Sequence, residues 1–562
     1  MLRLFDRHYI RRCEELDGMW SFSVPDLPAL PVKTAPVPGA WEQIPGLEDY
    51  RGNAVYEREI HVREAGYLRL VFKGVSHTAE LFFDGQQIAH HYNAYTPFDA
   101  AVYATEGLHR IRVEVNNTFG AHSALHKPND YYTYGGITRP VALEYIPGVF
   151  LRLLHFLPRF DEAAGVWSAH ICAVVQNVDT RPHRISVRGE LADLPLAFGE
   201  ATVGAGERVT LETDAAFPGV TPWSHEQPRL YLLRATLTED GRECDDLIER
   251  VGFRTCELRG HSFYLNGKKT FLQGFNRHED YATVGCAIPL QLMVRDMDLM
   301  QDMGVNALRT CHYPNDERFL DLCDERGIMV WEENHARGLY LPDMQHPLFE
   351  EQCRDCIDEM IENHFNHPSI VIWGLLNECA SDTEEGRAMY ARQYEQIRSL
   401  DRSRPVTSAS CRYYTDICLD LPDIVSFNIY SGWYFSNPVK DESDKMIDWI
   451  GTAGGKDKPI IYSEFGGAAI YGYRDPGHAK WSEERQADIL DETLAVYMHD
   501  ERITGVFIWQ FCDCRVTSEG DWFQSRVREH NNKGVVDEYR RPKLAYQVVR
   551  RRFLEKAEEM KG

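Results

Sequence analysis

The sequence predicts a multidomain chain: an N-terminal jelly-roll β-sandwich, an immunoglobulin-like β-sandwich and a C-terminal (β/α)8 TIM barrel. Three observations carry this. Residues 1–147 read as short alternating strands without long helical periodicity. Residues 148–256 repeat that pattern on a smaller scale. From 257 to 562 apolar runs alternate with amphipathic helices, and eight such runs can be read.

In the first segment the strands include 67–72, 80–83 and 109–115. Asp84-Gly85 between apolar stretches predicts a tight hairpin, because glycine tolerates positive φ. In the second, alternation runs through 168–176, 184–191, 208–212 and 230–237, and Asp240-Gly241 turns the chain into 248–253. A hairpin over Asn266-Gly267 then leads to the barrel. Its runs are 271–275, 305–309, 328–332, 370–377, 405–409, 424–428, 459–464 and 505–511. Helices over 290–303 and 316–326 each stop at a glycine, Gly304 and Gly327, where a left-handed residue ends the helix.

The chain has 562 residues, enough for about three domains, and its 43% apolar and 26% charged content is that of a globular protein. A formal net charge of −25 argues against nucleic-acid partners and requires a local basic cluster for any anionic ligand. Fourteen cysteines lack a disulfide-framework spacing, and Cys353-x-x-Cys356 lies in a helix-like stretch with no second pair. No membrane span of about 18 apolar residues and no secretory leader is read, so the cytoplasm is the expected place.

Reacting groups of a TIM barrel sit at the carboxyl ends of its strands. The fourth run, IVIWGLLN, is followed by Glu378, and the seventh, PIIYSE, ends at Glu464. Closing the barrel brings these two glutamates to one mouth. Two carboxylates across a pocket are what glycoside hydrolysis needs: one protonates the leaving oxygen and the other meets the oxocarbenium carbon. Retention with a covalent intermediate corresponds to a separation of about 5–5.5 Å.

The motifs LDGMWSFS, VPGAWEQ, YTPFD, YGGITRPV, GFNRHED, LRTCHYP, Asn377-Glu378, NIYSGWY and SEFGG follow one another along the chain. In this order the sequence resembles glycoside hydrolase family 2, and within it the bacterial β-glucuronidases, over essentially its whole length. The resemblance implies retaining hydrolysis of β-D-glucuronides with Glu378 as acid/base and Glu464 as nucleophile. It implies that Asn377 bonds the sugar 2-hydroxyl and that Asp130, on a loop of the first domain, reaches the barrel mouth and bonds the sugar. Tyr434 resembles a substrate-contact tyrosine. Arg309, His312, Asn428, Tyr430 and Trp509 lie at strand ends and are expected to line the pocket, with Tyr430 bonding the nucleophile.

The segment RVREHNNKG (526–534) is a basic patch in an acidic chain. Asn531-x-Lys533 matches the motif by which β-glucuronidases differ from β-galactosidases of the family, and a glucuronide carries a carboxylate that needs a fixed cation and a donor. Where relatives often have an arginine four residues before the asparagine, this chain has Val527 between Arg526 and Arg528; either arginine can be the supporting residue, and Arg528 is the candidate carried among the site residues. A loop, SEGDWFQSRVREH, precedes the motif, and the short stretch 340–343 after the third strand implies an open aglycone side.

Galacturonides carry the same carboxylate, so a β-galacturonidase, or a β-galactosidase, is the alternative within this chemistry. A non-catalytic sugar-binding protein would be expected to lack one of the glutamates. A metal-dependent hydrolase would be expected to show HxH or HExxH, and His278, His312 and His335 are separated in sequence with no closed ligand set. No metal is therefore assigned. The resemblance implies no cofactor for catalysis; some gut relatives carry flavin mononucleotide at a remote site, and no motif here speaks for or against it. The expected partners are small glucuronide conjugates or uronic-acid oligosaccharides, with neither nucleic acid nor membrane, in a homo-oligomer that is a tetramer or dimer.

Overall fold

The computed structural model describes residues 2–519 and 525–561. In the first domain two antiparallel sheets enclose one apolar core. A four-stranded sheet is ordered Arg12–Glu15, Val141–Ile146, Gly66–Phe72 and Phe98–Ala104. A six-stranded sheet is ordered Thr34–Val37, Gly18–Ser23, Asn53–Val62, Gly107–Asn116, Thr78–Phe83 and Gln86–Tyr92. Alternating residues such as Ile111, Val113 and Val115 point into the core they share with Leu70, Phe72 and Leu143. This is the period-two burial that makes a strand legible.

The second domain stacks three strands, Val149–Asp161, Val166–Asn177 and Arg208–Phe217, on four, Leu194–Val203, His183–Leu191, Tyr231–Glu239 and Arg242–Val251. Both predicted Asp-Gly hairpins form. Asp84 and Gly85 have φ of 50° and 83°, and Asp240 and Gly241 of 47° and 76°, the paired positive values of a turn matched to strand twist.

Eight parallel strands close the barrel: Leu272–Asn276, Ala307–Arg309, Met329–Glu333, Ile370–Asn377, Val406–Ser410, Val425–Asn428, Ile460–Phe465 and Ile503–Ile508. They are buried on both faces, which is why they appear in sequence as unbroken apolar runs. The predicted helices are Leu290–Asp302 and Glu317–Arg326; Asp316 caps the second by accepting from Arg318 N at 2.9 Å. Phe263 and Leu265, from the hairpin before the barrel, join Leu272, Trp331, Ile461 and Phe507 in one core cluster, to which Trp223 of the second domain adds its indole. Gly374 is forced by this packing, since a Cβ there would lie 2.2 Å from Trp331 Nε1.

Residues 2–11 run along the other two domains. Arg3 pairs with Asp321 at 2.9 Å, and Arg11 bonds Asp245 of the second domain (2.7 Å) and Glu144 of the first (2.8 Å). Buried, bidentate arginine pairs of this kind fix relative orientation. No helix among the described residues is long and apolar enough to cross a membrane. Cys353 and Cys356 are buried on a barrel helix, and all fourteen cysteines are unpaired.

Candidate active site

The barrel fixes the site because its strand ends converge. Glu378 follows the fourth strand directly and takes a left-handed backbone, φ 54°. A non-glycine residue held there is uncommon and costs on the order of 1 kcal/mol or more, and such positions cluster at functional sites. Its amide donates to Ala409 O at 2.9 Å. Glu464 is the fifth residue of the seventh strand and almost wholly buried.

Asn428, at the end of the sixth strand, links the two sides of the mouth. Its Nδ2 donates to Glu378 Oε1 (2.9 Å) and Asn377 Oδ1 (3.1 Å), while its Oδ1 accepts from Ser463 Oγ (2.7 Å). Tyr430 donates to Glu464 Oε2 at 2.8 Å. Arg309 is the hub of the floor. It donates to Glu464 Oε1 and Asn276 Oδ1 through one nitrogen, to Asn377 Oδ1 through a second (each 2.9 Å), and to both oxygens of Glu333 (2.5 and 2.9 Å). Asn377 Nδ2 is left without a hydrogen-bond partner and is buried, a donor available to a ligand.

Burial, reinforced by the like charge of Glu378, pushes the Glu464 carboxyl up to about 7 against the opposing pull of Arg309, Arg337 and the Tyr430 hydroxyl. Burial likewise pushes Glu333 up to about 7, although Arg309 opposes it. His312 is held neutral: burial drives its imidazole well below the usual range, and Arg309 adds to this. Its ring stacks on Trp509 at 5.2 Å and 17°, its Nδ1 meets Glu333 Oε1 at 3.0 Å, and its Nε2 stands 3.8 Å from Glu464 Oε1.

The first domain completes the mouth. Tyr131 OH meets His335 Nε2 at 3.1 Å, and Thr517 N donates to Asn129 O at 3.2 Å. Between these anchors Asp130 is clamped by Arg526 through Nε and a terminal nitrogen (both 2.5 Å) and by Asn531 Nδ2 (2.9 Å). Burial would raise this carboxyl, yet Arg526, Lys533 and Arg337 hold it below the usual carboxylate range. Lys533 is 3% exposed, with Nζ 5.6 Å from the Tyr430 ring centre and 5.3 Å from that of Tyr434. Its backbone is pinned: Lys533 O accepts from Gln510 N (3.1 Å), and a Cβ on Gly534 would lie 2.2 Å from Asp513 N. Tyr434 is 54% exposed at the rim; burial of its hydroxyl acts upward, but Lys533 and Arg526 bring the phenol below its usual range.

Two sequence expectations change. Arg528 is not part of this cluster: its side chain is 59% exposed and pairs with Glu538 at 3.3 Å. A left-handed backbone at Arg528 (φ 60°) turns it away, and Arg526 takes the place beside Asp130. His278 and His312, read as separated, meet in the mouth together with Cys311. The loop before Asn531 falls partly outside the described residues, which omit 520–524.

Three residues of the site were not singled out from sequence. Asn276 and Glu333 each end a barrel strand, and the strand-end rule reaches them once the strands are extended by one residue. Arg337 lies in the loop after the third strand, 3.5 Å from Glu378 Oε2, and donates to Asn129 Oδ1 at 2.8 Å. No periodicity or motif marks it.

Comparison with known proteins agrees with this architecture. The model of the glycosyl hydrolases family 2 TIM barrel domain matches residues 256–557, that of the family's sugar binding domain 29–147, and a third family 2 model 149–254. A β-galacturonidase from Eisenbergiella tayi, solved bound to galacturonate, is 48% identical, with a TM-score of 0.94 over 99% of both chains. A β-glucuronidase from Paenibacillus borealis is 27% identical over 98% of each chain. A putative β-glucuronidase from Formosa agariphila is 29% identical over 89% of this chain, which spans 64% of that protein's length.

Proposed function

The chain belongs to glycosyl hydrolases family 2, and on that premise we propose that it hydrolyses β-D-glucuronides with retention at the anomeric carbon. The observation that carries the reading is the pair Glu378 and Glu464, on the ends of strands four and seven and tied across one mouth by Asn428, which donates to Glu378 Oε1 (2.9 Å) and accepts from Ser463 Oγ (2.7 Å) beside Glu464. Glu378 is the partly exposed member (18% of its side chain), suited to exchange protons with solvent and leaving group; Glu464 is the buried one, aimed by Tyr430 and Arg309.

In the first step Glu378 gives its proton to the glycosidic oxygen as Glu464 bonds the anomeric carbon and the aglycone leaves. In the second, Glu378, now a carboxylate, takes a proton from water, whose oxygen displaces Glu464 and releases the uronic acid. Asn377 Nδ2 is the donor for the 2-hydroxyl, Asp130 accepts from a ring hydroxyl, and the Trp509–His312 stack forms the sugar platform. Lys533 and Asn531 face the substrate carboxylate, with Arg526 acting through Asp130. These steps use protein side chains alone. Fourteen unpaired thiols support a reducing compartment, the cytoplasm.

A second reading shares every step. A β-D-galacturonide presents the same carboxylate and inverts only the hydroxyl at carbon four, and the 48% identity to a protein bound to galacturonate favours it. Side-by-side turnover of nitrophenyl glucuronide, galacturonide and galactoside tests the proposal. Both readings expect a uronide to be cleaved far faster than the galactoside, and the two uronide rates rank them. A faster galactoside overturns the carboxylate clamp.

A further inference from the structure

A second set of donor atoms lies in the same mouth. His278, Cys311 and His312 each offer one ligand atom, and these atoms lie within 4.8 Å of one another. All three side chains are buried, none more than 1% exposed. Neither His278 Nε2 nor His312 Nε2 has a hydrogen-bond partner. The opposite nitrogen of each ring is held, by Tyr313 OH at 3.2 Å and by Glu333 Oε1 at 3.0 Å. An imidazole fixed through one nitrogen and unpartnered at the other is the disposition of a metal-binding histidine, oriented by its outer partner. The sugar contacts proposed above use His312 but give no role to His278 or Cys311.

We propose that His278, Cys311 and His312 form a binding site for a thiophilic divalent cation such as zinc or cadmium, and that its occupancy blocks hydrolysis. Tetrahedral zinc with sulfur at about 2.3 Å and nitrogen at about 2.0–2.1 Å sets its ligand atoms roughly 3.3–3.8 Å apart, so the three donors need only a small inward movement. On binding, the imidazoles give lone pairs and the Cys311 thiol loses its proton to solvent, so the donor set brings one negative charge to the cation. Glu464 Oε1, 3.8 Å from His312 Nε2, is within reach of the remaining coordination position. A cation there neutralises the carboxylate and fills the space of the sugar ring. The blocking rests on the role proposed for Glu464; the binding itself does not.

Two readouts separate these claims. Cadmium added to the metal-free protein is expected to give a cadmium–thiolate absorption band in the ultraviolet that saturates at one equivalent and is lost in Cys311→Ser. Zinc is expected to inhibit uronide turnover competitively and reversibly by chelator, with the half-inhibiting concentration raised at least about tenfold in Cys311→Ser, the scale on which altered metal shells weaken affinity. Cys311→Ala serves as a second variant, and turnover close to wild type without metal shows that each is folded. A cadmium band that is absent in wild type, or unchanged in both variants, overturns the site. A Cys311-dependent band with turnover indifferent to zinc keeps the site and overturns the blocking.

Discussion

Asn428 donates to Glu378 at 2.9 Å, and its own carbonyl oxygen is held by Ser463, the neighbour of Glu464 in sequence. One amide thus ties the two carboxylates' strands together across the mouth. Two residues further on, Tyr430 fixes Glu464. The relative placement of the pair is therefore set by the end of the sixth strand as much as by the strands that carry the glutamates.

The roles assigned to the pair predict unequal sensitivity to the leaving group. Glu464→Gln removes the bond-forming oxygen and is expected to abolish turnover of every substrate. Glu378→Gln removes proton donation, worth about 10²–10⁴-fold. That loss should appear in full with alkyl aglycones and shrink with nitrophenyl ones, whose oxygen needs little protonation. Steady-state rates across a series of aryl and alkyl uronides measure this, and an equal loss across the series would show that Glu378 is not the acid.

The same pair sets the pH profile. The working form carries one proton on two carboxyls, and the Glu464 carboxyl is pushed up to about 7 by burial and by Glu378. As pH rises through about 7 the last proton leaves and no acid remains, so kcat/KM for a poor leaving group is expected to fall on the alkaline side. Glu378→Gln takes away the like charge, so Glu464 ionises at lower pH. With a nitrophenyl uronide that variant should lose the alkaline fall and shift its acid limb downward. A kcat/KM profile across about pH 5–9 reads both limbs, and a wild-type rate still climbing above 7 would contradict the shared proton.

Much of this site was legible because barrel strands are buried on both faces and announce themselves as apolar runs. The ends of those runs then locate Glu378, Asn428 and Glu464. What was missed follows from one-residue errors and from contacts made only in three dimensions. The third strand was expected to end at Glu332 but continues to Glu333. Successive strand residues face opposite sides. Glu332 pairs with His364 on a surrounding helix (3.0 Å), whereas Glu333 faces the mouth and takes Arg309. Placing Arg526 rather than Arg528 beside Asp130 takes a left-handed backbone at Arg528, which the segment RVRE, with arginines on either side of Val527, does not signal. Arg337 reaches Glu378 from a loop whose position depends on Asn129 of another domain.

Specificity for a uronic acid is expected to reside in Lys533. Its buried ammonium lies beside two tyrosine rings and the Asp130 clamp. Lys533→Ala removes a charge-assisted contact worth about 1.5–3 kcal/mol, so kcat/KM for uronides should fall by about 10- to 100-fold. Turnover of the matching neutral glycoside should change little. Comparable losses on both substrates would assign Lys533 to the architecture of the mouth instead.

Acid is expected to loosen the joint that presents Asp130. His77 and His126 of the first domain stack at 4.3 Å, and His126 meets His335 of the barrel at the same centroid distance. Burial holds His77 and His335 down to about 3 and drives His126 well below the usual imidazole range. The unfolded chain protonates these rings below about 6.5 while the folded chain does not. For His77 and His335 stability is therefore complete above that pH and is lost as pH falls from about 6.5 towards 3, by about 1.4 kcal/mol per ring for each unit, and His126 adds a loss of the same sign. His77→Phe keeps the stacked ring and removes one site of proton uptake. Urea unfolding followed at about pH 7 and 5.5 should show a smaller acid-induced drop in midpoint for the variant than for wild type. An identical drop would mean that the imidazoles at this joint do not govern its acid sensitivity.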